Sequence, residues 1–311
     1  MNISQPSHPH SIAVMLRRII VLCLLPGAAA TASAQMPEPA APTVGLSDRS
    51  LQITVDIYNS RGGFALPATP GIDATRLQRR KGDLWGGTIS YGHSATLYVD
   101  FSYFSGDTDY AFRESFTDPA LMGLYLDNRG KVDEDWYEAR VRWQPARLAF
   151  EKVQAYLSFG LTHIRTDDEI RSDTKIPGMN LGLDDVRTMT GKSRNTFANV
   201  GMGVGGIKAA GPVNLGFKAE LSLLGGRFKA DNDLYNPDGS GQMIGSLSDS
   251  KTVWGTISRA TAFVSVPFGG ENKVAGAFIV ELGARHYYWR YSGGSEKNYG
   301  PFAKTGIAFD F

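Results

Sequence analysis

The sequence predicts an all-β fold: a transmembrane up-and-down antiparallel β-barrel of about ten strands. Three observations lead there. Apolar side chains recur at every second position in segment after segment. The connections between these segments alternate between long and short. The last segment, "KTGIAFDF", keeps its pattern to the final residue, Phe311. Chain ends fray unless something holds them, so a strand patterned to its last residue must be paired.

Composition agrees. With 36 glycines, 13 tyrosines and 16 phenylalanines in 311 residues, the chain suits strands and turns better than helices. The formal charge is +1 with the basic residues dispersed, which argues against nucleic acid as a partner.

The N-terminal stretch "MLRRIIVLCLLPGAAATASAQ" places Arg17 and Arg18 before an apolar run from Ile19, with Ala32-Ser33-Ala34 ahead of Gln35. This is the three-part layout of a secretory signal peptide, expected over 1–34 with Met15 as a candidate true start. The apolar run stops at Pro26, short of the roughly 20 residues a membrane helix needs. The only cysteine, Cys23, falls in the part removed, so no disulfide is expected in the exported chain. Residues 35–49 read as a periplasmic segment and 50–311 as the barrel.

The elements follow in order. "SLQITVDIY" sets Leu51, Ile53, Val55 and Ile57 against Gln52, Thr54 and Asp56. A second strand covers 83–93. "SATLYVDFSYF" alternates Leu97, Val99, Phe101 and Tyr103 with Tyr98, Asp100 and Ser102, and "DWYEARVRW" alternates Tyr137, Ala139, Val141 and Trp143 with Glu138, Arg140 and Arg142. Strands are expected at 151–164 and 194–207. "VNLGFKAELSLL" follows, with Leu215, Phe217, Leu221 and Leu223 opposite Lys218 and Glu220, and then 252–267, 274–291 and 299–311. Long polar connections fall at about 59–82, 105–131, 166–193 and 228–251. Short ones such as "GHS", "AAGP" and "FGGEN" lie between them.

An even strand count, short turns at one end, long loops at the other and about ten residues per strand resemble the barrels of the bacterial outer membrane. Tyr137, Trp143 and the run "HYYWRY" at 286–291 sit where such barrels carry aromatic girdles. "AKTGIAFDF" is similar to the C-terminal assembly signal of the class, with Phe309 and Phe311 as its apolar residues. The resemblance implies an outer-membrane location and contact with the barrel-assembly machinery and lipopolysaccharide.

If the apolar faces meet lipid, the other faces fill the lumen. They carry the acids Asp56, Asp100, Glu138, Glu220, Glu281 and Asp310, and the bases Arg140, Arg142, Lys218, Arg259, Arg285 and Lys304. Buried charges persist when paired, so equal numbers predict a cross-linked interior rather than a selectivity ring of one sign. "ATRLQRRKG", with Arg76, Arg79, Arg80 and Lys81, enters the second strand from the outer loop and is the candidate contact for lipopolysaccharide phosphates.

No catalytic residue, cofactor or metal site is expected. His93, His163 and His286 are scattered singly. Omptin proteases, ten-stranded barrels with carboxylates and a histidine at the outer rim, invite comparison with "DTD" at 107–109. The Asp-x-His pair is absent from strand seven, where "KADNDLYN" stands. "GMGVGG" at 201–206 has dinucleotide-loop spacing but lies within a strand, where Gly201 and Gly203 make room for neighbours. The acids of "RTDDEIRSD" lack EF-hand spacing and read as a solvated loop. The functional expectation is a structural or surface-interaction barrel of the envelope; the alternatives are a narrow porin-like channel and an omptin-like rim protease.

Overall fold

The computed structural model describes residues 49–66, 73, 75–94, 96–117, 124–145, 149–150, 153–176, 179–180, 185–236, 238–269 and 275–311. The expected signal peptide and all but the last residue of segment 35–49 lie outside them. Ten long strands run in chain order: β1 (Ser50–Leu66), β2 (Thr75–Ser94), β3 (Leu97–Ser115), β4 (Tyr125–Trp143), β5 (Val153–Ile176), β6 (Val186–Ala210), β7 (Val213–Tyr235), β8 (Met243–Phe268), β9 (Ala275–Tyr291) and β10 (Gly294–Asp310). Two-residue pieces at Ala149–Phe150 and Met179–Asn180 pair with β5.

Each long strand pairs antiparallel with its sequence neighbour, and β1 pairs with β10 from Ser50↔Asp310 to Ala65↔Ser295. The sheet closes, leaving no edge. This explains the patterned end of the chain: β10 lies between β1 and β9, and the Phe311 amide donates to the Arg49 carbonyl at 3.0 Å. In lipid an unpaired backbone group costs several kcal/mol, so closure is obligatory for a sheet that spans.

The strands are longer than the alternation predicts, from 17 residues in β1 to 26 in β8, where about ten suffice to cross a bilayer. The extra length lies at the end away from the termini. Most of each expected long loop is paired strand: β3 and β4, for example, stay in register up to Ser115↔Tyr125. A two-residue link, Ser292 and Gly293, joins β9 to β10, with Gly293 at φ 95°, a conformation that a side chain disfavours.

Side-chain direction explains why the extensions read as loops. In the lower half of each strand apolar residues face out and charges face in. On β3 Leu97, Val99, Phe101 and Tyr103 point outward and Asp100 inward; from Phe104 upward the apolar side chains Phe104 and Phe112 point inward, and Asp107, Asp109 and Arg113 outward. β5 changes phase between Leu161 and Ile164, and β7 between Leu223 and Leu224. The period stays two while the environment outside changes from lipid to water.

Candidate functional site

The phase change coincides with a closed layer inside the barrel. Tyr58, Leu84, Phe104, Trp136, Ile164, Phe197, Leu224, Val253, Ile257, Tyr287 and Trp289 form one buried cluster, and Phe302 packs against it. Every strand from β1 to β10 thus contributes. Several members are direct register partners: Tyr58↔Leu84, Phe104↔Trp136, Trp136↔Ile164 and Ile257↔Tyr287. Where two large residues would collide, the partner is glycine. Gly255 lies opposite both Leu224 and Trp289, and a Cβ there would run into the Tyr288 carbonyl.

Below this layer the predicted lumen charges assemble. An alternating chain runs from Arg142 to Asp100 (2.8 Å), Arg140 (3.0 Å), Glu220 (3.1 Å), Arg259 (3.9 Å), Glu138 (2.9 Å) and Arg285 (3.4 Å). It links β3 and β4 with β7, β8 and β9, and so crosses the lumen. Two further pairs flank it, Lys218 with Glu281 at 3.6 Å and Lys304 with Asp56 at 2.8 Å. Hydroxyls complete the carboxylates: Thr54 donates to Asp56, Ser158 to Glu220 and Tyr287 to Glu138. The charged layer surrounds a cavity of about 80 Å³, room for a few waters. Arg285 ties the two layers together. Its guanidinium lies 3.7 Å from the Tyr58 ring centroid, 4.5 Å from Phe104 and 5.2 Å from Trp136, a cation in an aromatic cage.

Three sequence expectations need correction. Asp310 faces the lumen side by parity but sits at the end of β10, exposed, and takes no part in the chain. A further acid of the interior is Glu134, which accepts from Thr108 and from the Trp136 indole (2.8 Å); it lies above the apolar alternation that marks its strand, so that alternation does not reveal it. "HYYWRY" is only half a girdle: His286 and Tyr288 face outward, whereas Tyr287 and Trp289 are 0% and 2% exposed inside the barrel. Tyr137 and Trp143 do face outward, as do Trp85, Tyr103 and Trp254. Gly203 lies under the Tyr156 ring, the service expected of it.

No protein-family model and no curated relative matches the sequence. Among solved structures, the outer membrane protease OmpT from Escherichia coli superposes with a TM-score of 0.51 at 9% identity, over 88% of this chain and 100% of that one. The fold is that of a bacterial outer-membrane β-barrel. The translocator domain of the autotransporter NalP from Neisseria meningitidis (TM-score 0.36, 13% identity, 84% of this chain and 88% of that one) also matches. So does OprG from Pseudomonas aeruginosa (TM-score 0.34, 9% identity, 86% and 98%).

On this outer-membrane barrel the possible catalytic side chains diverge. Asp107 and Asp109 point away from the lumen, with Thr108 between them pointing in. His93, His163 and His286 all lie on outward positions; His163 Nδ1 meets Thr196 Oγ1 at 2.9 Å, and His286 packs against Tyr299. The acids of "RTDDEIRSD" are split by the pleat, Asp167 and Glu169 outward and Asp168 inward. No group of three or more metal-ligating side chains occurs among the described residues. Phe309 faces outward beside Phe268, and Phe311 is exposed.

Above the girdle the outer face carries a row of acids, Asp83↔Asp107↔Asp133↔Asp167, each directly opposite the next. A hydrogen bond from Lys131 holds the Asp107 carboxyl below its usual range, while burial and then Asp107 itself raise that of Asp133. Arg76, Arg79 and Arg80 occupy backbone positions on β2 further up than Asp83. Their side chains lie outside the described residues; Lys81 is exposed.

Proposed function

We propose that the protein is exported with cleavage after Ala34 and resides in the bacterial outer membrane. There it serves as a non-enzymatic, closed-lumen barrel whose extended upper strands present a surface to lipid and to partners outside the cell. The observation that carries this reading is the double fill of the lumen: an ion-pair chain reaching from wall to wall beneath a layer to which all ten strands contribute. Ten strands give an interior little wider than the eight-stranded barrels that side chains fill. The outward placement of His93, His163 and His286 favours it over a rim protease.

Reconstitution into planar bilayers tests the closed lumen. The expected result is no steady current under conditions in which a general porin conducts; sustained porin-like conductance sinks the proposal. The alternative, a narrow channel, is favoured by the cavity in the charged layer, and in that case small current steps appear. The proposed export predicts Gln35 as the first residue of protein recovered from outer membranes, with N-terminal sequencing as the check. Phe309 and Phe311 are proposed as the signal read by the assembly machinery, and deletion of Phe311 should lower the yield of folded barrel.

A further inference from the structure

We infer that the outer face of β5, β6 and β7 binds the phosphorylated headgroup of an outer-leaflet lipid through Arg165, Arg194 and Lys229, with Arg227 beside them. Arg165 lies directly opposite Arg194, and Arg194 directly opposite Lys229, on three adjacent strands. Strands are spaced about 4.8 Å apart, so the three cations span roughly 10 Å. Like charges placed opposite one another destabilise a sheet. A contiguous row of them is therefore a cost that an anion can relieve.

The row also makes no ion pair among the described residues. Other cations of the same outer face have carboxylate partners: Lys192 with Asp167 at 3.7 Å, Arg187 with Glu169 at 3.6 Å, Arg171 with Glu169 at 2.7 Å. Arg165, Arg194 and Lys229 have none among the described residues, and all three are exposed. The carboxylate opposite Arg165, that of Asp135, accepts the Tyr103 hydroxyl at 2.9 Å instead. Arg227 gives its Nε to Ser250 at 2.9 Å. Guanidinium groups held in a row match phosphate oxygens, which take paired donors.

Position identifies the anion as a lipid. Immediately below the row, toward the membrane centre, the same three strands expose Leu161, Val200, Met202, Leu221 and Leu223, with Met202 at 67% and Leu223 at 64%. A phosphate seated on the row thus stands above a bed fit for its own acyl chains, which a free anion leaves unused. The inference takes its membrane placement from the reading above but not its closed lumen. Lipid binding and conductance therefore fail separately.

Barrels extracted from outer membranes in mild detergent are assayed for bound lipopolysaccharide by mass spectrometry, comparing the natural protein with R165Q/R194Q/K229Q and with R76Q/R79Q/R80Q. A cation near an anionic surface contributes roughly a factor of five, so loss of three predicts binding about a hundredfold weaker at low salt. The β2 variant is expected to retain its lipid. Full retention by the β5–β7 variant overturns the inference, as does loss confined to the β2 variant. A second measurement needs no variant: the natural protein is refolded into phosphatidylcholine vesicles carrying either bis-phosphorylated or dephosphorylated lipid A. Preference for the phosphorylated lipid, weakening with salt and resisting competition by inorganic phosphate, is expected. Equal binding of the two lipids, or displacement by inorganic phosphate, overturns the assignment.

Discussion

Glu138 has three partners, the guanidinium groups of Arg259 and Arg285 and the Tyr287 hydroxyl, and it is the point where the ion-pair chain meets the aromatic layer. Removing one member of a buried pair strands the other, which typically costs about 3–5 kcal/mol. E138Q and R259Q are each expected to destabilise the barrel by that order, and the double variant by less than the sum. Urea unfolding in lipid vesicles, followed by tryptophan fluorescence, measures the cycle; strict additivity would show that the two are not linked. Sequence adjacency suggests Glu138 and Arg140 as the pair, but Arg140 binds Asp100 and Glu220 instead, so the E138Q/R140Q cycle should show the smaller coupling.

At the level of the strand, alternation reports on what lies on each side of the sheet and says nothing about where pairing stops. β3 continues past Tyr103 because its backbone partners on β2 and β4 continue, although its outward residues have become Asp107, Asp109 and Arg113. The row of aspartates crossing β2 to β5 is the clearest liability of the extension. Asp133's carboxyl is raised in the folded state, so the fold holds that proton more tightly than the unfolded chain does. The position is therefore tolerated at acid pH, and the repulsion sets in as pH rises through the raised value. D133N should stabilise the barrel by roughly 0.5 kcal/mol at pH 7 and have no such effect below about pH 4. Unfolding midpoints at the two pH values check this; an equal gain at both would point to packing instead of charge.

For the whole molecule, the lumen is divided into storeys: charged in the membrane's lower reach, apolar at the phase change, and mixed above, where Asn128, Ser172 and Thr188 are joined by hydrogen bonds and Phe112, Val132 and Ile170 are buried. The apolar storey is the seal. Trp136 sits at its centre, in contact with Tyr58 and Tyr287 at ring-centroid distances of 6.2 and 5.2 Å. W136A is expected to fold with a loss of about 3–5 kcal/mol and to pass small, flickering currents where the natural barrel is silent. A folded W136A barrel that stays silent in bilayers would move the seal to the ion-pair chain.

The sequence by itself determined the strand class, the number of long strands, the outward apolar faces and, of the twelve charges it assigns to the lumen, all but Asp310, because each follows from a side-chain period of two against a single lipid boundary. The tertiary structure decided what that period cannot encode. Strand length is set by backbone pairing, and above the membrane the apolar positions move to the inner face and thin out, so the outward alternation that marks each strand stops before the pairing does. The partners of each lumen charge are set by the order of strands around the ring, which brings Arg140 to Glu220 and Arg259 to Glu138 across long separations in sequence. The cation row of Arg165, Arg194 and Lys229 is invisible along the chain for the same reason: its members become neighbours only through cross-strand register.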